Sequence, residues 1–190
     1  MINPFVQVLI FLINTVFDIY ILLLMLRFLL TLMRVGFRND PVLQLLLKLT
    51  NPPLQLLYSF IPGWKNVDIA AIILMLTLKI VEWTLVKSLW GKALSLSGLF
   101  ILSTANIISL MIYVFIFSIF IQVILDWVSP RDSYNPISNI LYYLNEPLLR
   151  PARDWIKPLQ GYGFDFSPFI VTMSLYIINI LIVGFLLQAV

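Results

Sequence analysis

The sequence contains no cysteine and no histidine, and only 11% of its 190 residues are charged. The lack of cysteine excludes disulfides and thiolate chemistry, and the lack of histidine excludes imidazole acid–base catalysis. Together they remove nearly every zinc or haem site. A soluble domain carries roughly 25% charged residues, whereas here 61% of the residues are hydrophobic and the mean hydropathy is +1.00. The composition therefore predicts a polytopic membrane protein.

Four apolar runs are long enough to cross a bilayer, which requires about 20 helical residues. They cover residues 5–33, 69–90, 96–127 and 166–190. The first and third are longer than a hydrocarbon core of about 30 Å, so we expect them to tilt or to project from it. The predicted fold is an all-α membrane protein with four transmembrane helices.

Basic residues concentrate in the two long connections between the spans. The basic residues there are Arg34, Arg38, Lys48 and Lys65 in the first connection, and Arg131, Arg150, Arg153 and Lys157 in the second. The opposite side offers Lys87 and Lys92. The positive-inside rule therefore predicts cytoplasmic connections and periplasmic termini in a bacterial inner membrane.

The pattern of long helix, connection and second helix occurs twice along the chain. The matching positions are Pro41, Pro52, Pro62 and Asp68 in the first copy, and Pro136, Pro147, Pro158 and Asp165 in the second. Each copy holds two spans, an even number, so the copies should have parallel rather than inverted orientation. We therefore predict two repeats, residues 1–92 and 93–190.

The second copy carries a more complete motif than the first. Its residues are Asn135, Pro136, Pro147, Arg150, Pro151, Arg153, Pro158, Asp165, Ser167 and Pro168. This order resembles the YggT family of bacterial membrane proteins (YlmG in Gram-positive bacteria and plastids), and the resemblance covers essentially the whole chain. Arg27 also fits the family pattern, but the first copy has Gln55 at the expected basic position. The resemblance implies a part in osmotic-stress tolerance and ion uptake; plastid relatives are associated with nucleoid distribution and cytochrome assembly.

The connections have the spacing of amphipathic helices. In 148–157, Arg150, Arg153, Asp154 and Lys157 share one face, and Leu149, Ala152 and Ile156 share the other. Such a helix lies in the headgroup plane, where anionic lipid contributes about 1 kcal/mol per basic residue. A polar stripe of Ser138, Asn139, Tyr142 and Asn145 precedes it, so we predict two interfacial helices hinged at Glu146-Pro147. Residues 42–61 are more apolar and predict either surface-lying helices or a shallow re-entrant hairpin.

Asp68 and Asp165 each precede an apolar helix. An aspartate there satisfies free backbone N–H groups and suits the positive end of the helix dipole, so we expect both to be caps. Ser167-Pro168 fits the first turn of such a helix. The alternative is that the two carboxylates coordinate a cation.

Charged and amide side chains interrupt the apolar runs of the first repeat. They are Asn14, Asp18, Arg27, Lys79 and Glu82. Lys79 follows Asp68 by 11 residues, about 16 Å of helix, which places it near mid-depth. The equivalent positions of the second repeat hold the neutral residues Tyr113, Gln122, Tyr176 and Asn179. Each central charge costs about 2.5–3.5 kcal/mol unless it pairs or lines water.

Two hypotheses account for these residues. In the first they form a structural clamp, with Asp18 near Lys79 and Glu82 and with Arg27 extending towards the cytoplasmic face. In the second they line an ion site or polar pathway between the first two spans, which Asn14 extends because it lies one turn from Asp18.

The sequence predicts no catalytic residue, metal site or cofactor, and we do not expect an enzyme. One functional hypothesis is a small ion channel or transporter, or a modulator of one. The alternative is a membrane scaffold or assembly factor that docks partners through its cytoplasmic helices. The expected partners are the lipid bilayer, with anionic lipid at 148–157, and a second copy or another membrane protein; we expect no direct binding of nucleic acid.

Overall fold

A computed structural model of the chain describes residues 3–33, 41–60, 67–91, 95–128, 136–156 and 165–188. These residues form six α-helices: α1 (Pro4–Leu32), α2 (Pro41–Tyr58), α3 (Ile69–Leu89), α4 (Leu96–Val128), α5 (Pro136–Ile156) and α6 (Ser167–Leu187). Of these, α1, α3, α4 and α6 are long and apolar enough to cross a membrane. The prediction of an all-α fold with four spans is confirmed. Pro62, Lys157 and Pro158 lie outside the described residues.

Polar side chains cap the N-termini of α1 and α3. The Asn3 side chain accepts a hydrogen bond from the backbone N–H of Phe5, and Pro4 occupies the first helical position. Asp68 Oδ1 accepts the Ala71 N–H at 3.1 Å and caps α3. At the other end of α3, Gly91 has a φ of +65°, a conformation that a residue without a Cβ adopts at little cost.

The connecting helices continue without a break through their internal prolines, which corrects two predictions. α5 is one helix and has no hinge at Glu146-Pro147. α2 is also continuous across Pro52-Pro53, so residues 41–58 do not reverse direction as a re-entrant hairpin requires. A proline within a helix removes one backbone hydrogen bond. Here buried side chains on either side of the prolines, Thr50 and Leu54 in α2, hold the helix against its neighbours.

The chain divides into two compact units. Met1–Leu110 with Val183–Val190 form the first, and Met111–Ile182 form the second. In the first unit, α2 packs against both α1 and α3, and α1 also packs against α3. In the second unit, Ile119, Leu149 and Val171 form a buried cluster that joins α4, α5 and α6. These units group residues by proximity, and the boundary between repeats at 92/93 stays a prediction.

Large apolar side chains cover the outer surface of the spans. Phe11 on α1, Phe117 on α4 and Phe185 on α6 are all exposed. In water such a surface would drive association, whereas in a bilayer it faces acyl chains. The exposed apolar surface therefore agrees with helices that cross a membrane.

Candidate functional site

A three-residue ion cluster joins α1 to α3 in the first unit. The Lys79 ammonium lies 2.7 Å from Asp18 Oδ1 on the neighbouring helix. It also donates to both oxygens of Glu82, one turn further along α3, at 3.0 and 2.8 Å. The structure thus brings together Asp18, Lys79 and Glu82, as both sequence-based hypotheses for these residues require. We call these three residues the ion triad.

The two members of the triad on α3 are buried, whereas Asp18 on α1 is exposed. The side chains of Lys79 and Glu82 are 9% and 5% exposed, whereas that of Asp18 is 58% exposed. An ammonium group has three protons to donate, and the three oxygens already named accept them. Asp18 Oδ2 receives no hydrogen bond from the described residues. With two carboxylates and one ammonium, the ionised triad carries a net charge of −1.

Two further polar residues lie one turn before Asp18. Asn14 and Thr15 precede it by four and three residues, so they share its helix face. Both are partly buried. The Thr15 hydroxyl donates to the Phe11 carbonyl at 2.7 Å, and its oxygen keeps lone pairs for another partner.

Arg27 forms a buried polar junction between α1 and α2. Its Nη1 donates to Thr50 Oγ1 at 2.8 Å and to Asn51 Oδ1 at 2.6 Å, and its Nη2 donates to the Tyr58 hydroxyl at 3.3 Å. Arg27 is buried, because the three acceptors on α2 hold its guanidinium inside the protein. The expectation that it extends towards the cytoplasmic face stays a prediction.

Tyr58 continues this junction to α3. Its hydroxyl donates to Asp68 Oδ2, and the other oxygen of Asp68 caps α3. Burial, together with the hydrogen bond to Asp68, raises the pKa of Tyr58 to about 12. Tyr58 therefore remains a neutral donor at physiological pH, and one chain of hydrogen bonds connects α1, α2 and the start of α3.

A similar junction joins α4 to α5 in the second unit. The Ser118 hydroxyl donates to Asn145 Oδ1 at 2.6 Å, and Asn145 Nδ2 donates to Gln122 Oε1 at 2.9 Å. Asn145 is completely buried. Its predicted place on a polar surface stripe of the connection is therefore wrong, because α4 supplies partners for both ends of its amide.

Arg153 links α5 to the start of α6. Its Nη1 lies 3.1 Å from Glu146 Oε2, and its Nε lies 2.9 Å from Asp165 Oδ2. Asp165 Oδ1 accepts the N–H of Ser167, the first residue of α6. Burial opposes ionisation of Asp165, but the hydrogen bonds from Ser167 and the Arg153 guanidinium outweigh it and lower the pKa of that carboxyl.

The two junctions use equivalent positions of the two repeats. A shift of 95 residues relates Arg27 to Gln122, Thr50 to Asn145, Asn51 to Glu146 and Tyr58 to Arg153, and a shift of 97 relates Asp68 to Asp165. In the first repeat the guanidinium belongs to the long span, and in the second it belongs to the connecting helix. In both, the connecting helix is bonded to the long span and to the aspartate at the start of the next span.

Sequence reasoning missed the α2, α4 and α5 partners in these junctions. Thr50, Asn51, Tyr58 and Ser118 were missed altogether, whereas Asn145 and Glu146 were assigned to a polar stripe and to a hinge. The same shift of 95 residues that aligned Pro41 with Pro136 also aligns polar residues at three of these pairs of positions. Polar residues at matching offsets in the two connecting segments were the available signal.

The ion triad has no charged counterpart in the second repeat. Asp18, Lys79 and Glu82 correspond to Tyr113, Tyr176 and Asn179. Asn179 is 6% exposed, and its Oδ1 accepts no hydrogen bond within the described part of the chain.

The remaining motif residues lie at the starts, in the interiors or on the surfaces of the helices. Pro41 and Pro136 begin α2 and α5, Pro52 and Pro147 lie inside them, and Ser167 and Pro168 begin α6. Arg150 is exposed on α5. Among the described residues there is no group of three or more carboxylates that could hold a metal ion. Cation coordination by Asp68 and Asp165 stays a prediction.

Four spanning helices and two equivalent polar junctions define a polytopic α-helical membrane protein with an internal repeat. The chain belongs to the CCB3/YggT family, which matches it in two stretches, residues 6–89 and 101–186. The resemblance drawn from the proline motifs is thereby confirmed.

Similar proteins come from several bacteria. An uncharacterised protein of Pseudomonas aeruginosa is 35% identical over 177 residues, which cover 92% of this chain and 88% of that protein. The uncharacterised protein YggT of Escherichia coli K12 is 32% identical over 176 residues, with 89% and 86% covered. An uncharacterised protein of Vibrio alginolyticus is 33% identical, with 90% and 91% covered. No solved structure shows significant similarity to the chain.

Proposed function

We propose that this protein handles ions in the bacterial cytoplasmic membrane, as a small channel or transporter or as a modulator of one. Its role is in ion uptake and osmotic-stress tolerance. The observation that carries the proposal is the ion triad, in which a buried Lys79 binds a carboxylate that is open to the surroundings at the midpoint of α1.

The triad is more polar than a structural clamp requires. A clamp between two spans is complete with one ammonium and one carboxylate, because their charges cancel. Here a second carboxylate leaves an excess negative charge, and a single charge at mid-membrane costs about 2.5–3.5 kcal/mol. Intramembrane ionisable groups of this kind mark ion pathways and relays. The excess charge therefore supports the pathway hypothesis over the clamp.

The orientation follows from the distribution of basic residues. The connections containing α2 and α5 face the cytoplasm, and both termini face the periplasm. Four spans are few for a transporter acting alone, so the proposal includes a second copy or another membrane protein as a partner.

The test is potassium and sodium flux in proteoliposomes, with and without an osmotic gradient. We expect flux with the unaltered protein and its loss in Asp18→Asn and Lys79→Met. The matched control is Tyr113→Phe, which alters the equivalent position of the second repeat and should leave flux unchanged. Absence of flux from folded, oriented protein would contradict the channel or transporter form of the proposal. If salt tolerance in cells also survives Asp18→Asn at normal abundance, the ion-site proposal as a whole is lost.

A second candidate function is that of a membrane scaffold or assembly factor. Its supporting observation is the outer surface of α5, where Arg150 is exposed and Trp155 is 88% exposed. An exposed arginine and tryptophan on an amphipathic helix suit anionic headgroups or a partner's surface. Crosslinking from this surface in native membranes should recover a partner and should fail with Arg150→Glu. Asn139→Asp, on the exposed surface of the same helix, is the control. Equal recovery from both variants would argue against docking through Arg150.

A further inference from the structure

The charges of the ion triad specify the valence of its ligand. Lys79 carries one positive charge and bonds to two carboxylates, those of Asp18 and Glu82, so one carboxylate charge of the ionised triad stays without a counter-charge. Asp18 and Lys79 are the two members that meet across the helices, and Glu82 adds the excess charge. One bound positive charge brings the site to zero, whereas a divalent cation would bring it to +1.

The oxygen atoms for such a ligand lie on one face of α1. Asp18 Oδ2 is unbonded among the described residues, and the side chain is more than half exposed. The amide oxygen of Asn14 and the hydroxyl oxygen of Thr15 lie one turn away on the same face. Carboxylate, amide and hydroxyl oxygens are the ligands that hard cations prefer. The Lys79 ammonium bonds to the other carboxylate oxygen, Oδ1, and is held in place by Glu82.

We propose that the face formed by Asn14, Thr15 and Asp18 binds one monovalent cation, with the Lys79–Glu82 pair as its fixed counter-charges. This inference rests on the proposed ion-handling function and names its ligand class. A proton and an alkali cation share the required charge. When a proton binds, a new O–H bond forms at Asp18 Oδ2, and the triad charge changes from −1 to zero.

A series of substitutions changes the net charge of the ion triad while keeping each side chain similar in size. The charge becomes zero in Asp18→Asn and in Glu82→Gln, and it becomes −2 in Lys79→Met. The double variant Lys79→Met with Glu82→Gln returns it to −1. The charge of the bound cation should balance the net charge of the triad in each variant. Tyr113→Phe, in the second repeat, leaves this net charge unchanged and is the control.

The test measures binding by protein in lipid nanodiscs, with Na⁺, K⁺ and Ca²⁺ as probes and with proton uptake followed by a pH indicator. We expect one monovalent cation per chain, and binding at least about tenfold weaker in Asp18→Asn and Glu82→Gln, which corresponds to about 1.4 kcal/mol. Lys79→Met should gain Ca²⁺ binding, and the double variant should return to monovalent binding. Because Asp18 is largely exposed, its variant should fold even if Glu82→Gln does not.

The outcomes separate the ligand sources and the two proposals. Alkali binding that protons displace identifies a sodium or potassium site, whereas uptake of one proton without alkali binding identifies a proton site; both support the inference. The inference is overturned if the unaltered protein binds no monovalent cation, or if the Lys79→Met variant does not bind Ca²⁺. If the protein binds the cation but shows no flux, the binding site is supported and the transport function is refuted. If flux occurs but does not change in the charge variants, ion transport is supported and this binding site is refuted.

Discussion

Thr50 and Asn145 are 95 residues apart, occupy equivalent positions of the two repeats, and are both 0% exposed. Each anchors a connecting helix to the long span before it, Thr50 through Arg27 and Asn145 through Ser118 and Gln122. Each lies two residues before the first internal proline of its helix. The anchors therefore hold each helix where its own backbone hydrogen bonding is interrupted.

Replacing Asn145 with leucine should destabilise the protein by about 2–4 kcal/mol, because the polar groups of Ser118 and Gln122 would lose buried partners. Thermal unfolding in detergent, followed by circular dichroism, measures the loss. Asn139→Leu, on the exposed surface of the same helix, is the control and should have little effect. Equal unfolding temperatures for Asn145→Leu and the unaltered protein would refute this role of Asn145.

Arg27→Gln should also destabilise the first unit by about 2–4 kcal/mol, because Asn51 and Tyr58 lose their donor. Glutamine is the residue that the second repeat uses at this position. We therefore expect partial recovery when the partners are exchanged as well, by adding Thr50→Asn, Asn51→Glu and Tyr58→Arg. Unfolding temperatures of the single and combined variants provide the comparison. If the combined variant is less stable than Arg27→Gln alone, the two junctions are not interchangeable.

Alkaline conditions should weaken the first junction through Tyr58. Its pKa is about 12 in the folded protein against an ordinary value of 10.0. Below pH 10 the contribution of the neutral hydroxyl is complete, and it is lost as pH rises through 10 towards 12, because the unfolded state ionises first. Unfolding temperature measured across this range should fall less steeply in Tyr58→Phe. Tyr142→Phe, which alters an exposed tyrosine of α5, should behave as the unaltered protein; identical slopes in all three would exclude the effect.

Acid should weaken the second junction through Asp165. Its pKa in the folded protein is lower than its ordinary value of 3.8. The stabilising contribution of the carboxylate is therefore present above pH 3.8 and is lost as pH falls through the folded pKa. A spectroscopic probe on a cysteine introduced at Trp155, in a chain without native cysteine, should report increased motion at low pH. The same probe should already be mobile at neutral pH in Asp165→Asn, and a probe that is immobile there would contradict the prediction.

Asn179→Leu should leave stability unchanged or raise it, by up to about 1–3 kcal/mol, because it removes a buried acceptor that has no hydrogen bond among the described residues. Glu82→Leu, at the equivalent position of the first repeat, should destabilise the protein, because the buried Lys79 ammonium loses two of its three hydrogen-bond acceptors. Chemical or thermal unfolding of both variants provides the measurement. Destabilisation by Asn179→Leu would indicate that a partner, such as water, satisfies the amide.

Hydropathy predicted the four spans well, because the length of an apolar run is a local property of the sequence and decides directly whether a helix can cross the hydrocarbon core. The repeat was also visible, since proline spacing survives where side chains have diverged. The hinge predicted at Glu146-Pro147 was wrong for a related reason. A proline weakens a helix locally, but tertiary anchors such as Thr50 and Asn145 supply the compensating contacts, and nothing in the local sequence reveals those contacts.

By itself, the sequence determined the membrane class, the number of spans, the internal repeat and the residues whose charges are unusual in an apolar helix. Only the tertiary structure decided which of those residues meet. It separated Arg27, which binds neutral acceptors on α2, from Asp18, which binds Lys79 on α3. The reason is physical: hydropathy and helix period depend on neighbours in sequence, whereas burial and charge pairing depend on which helix faces pack together.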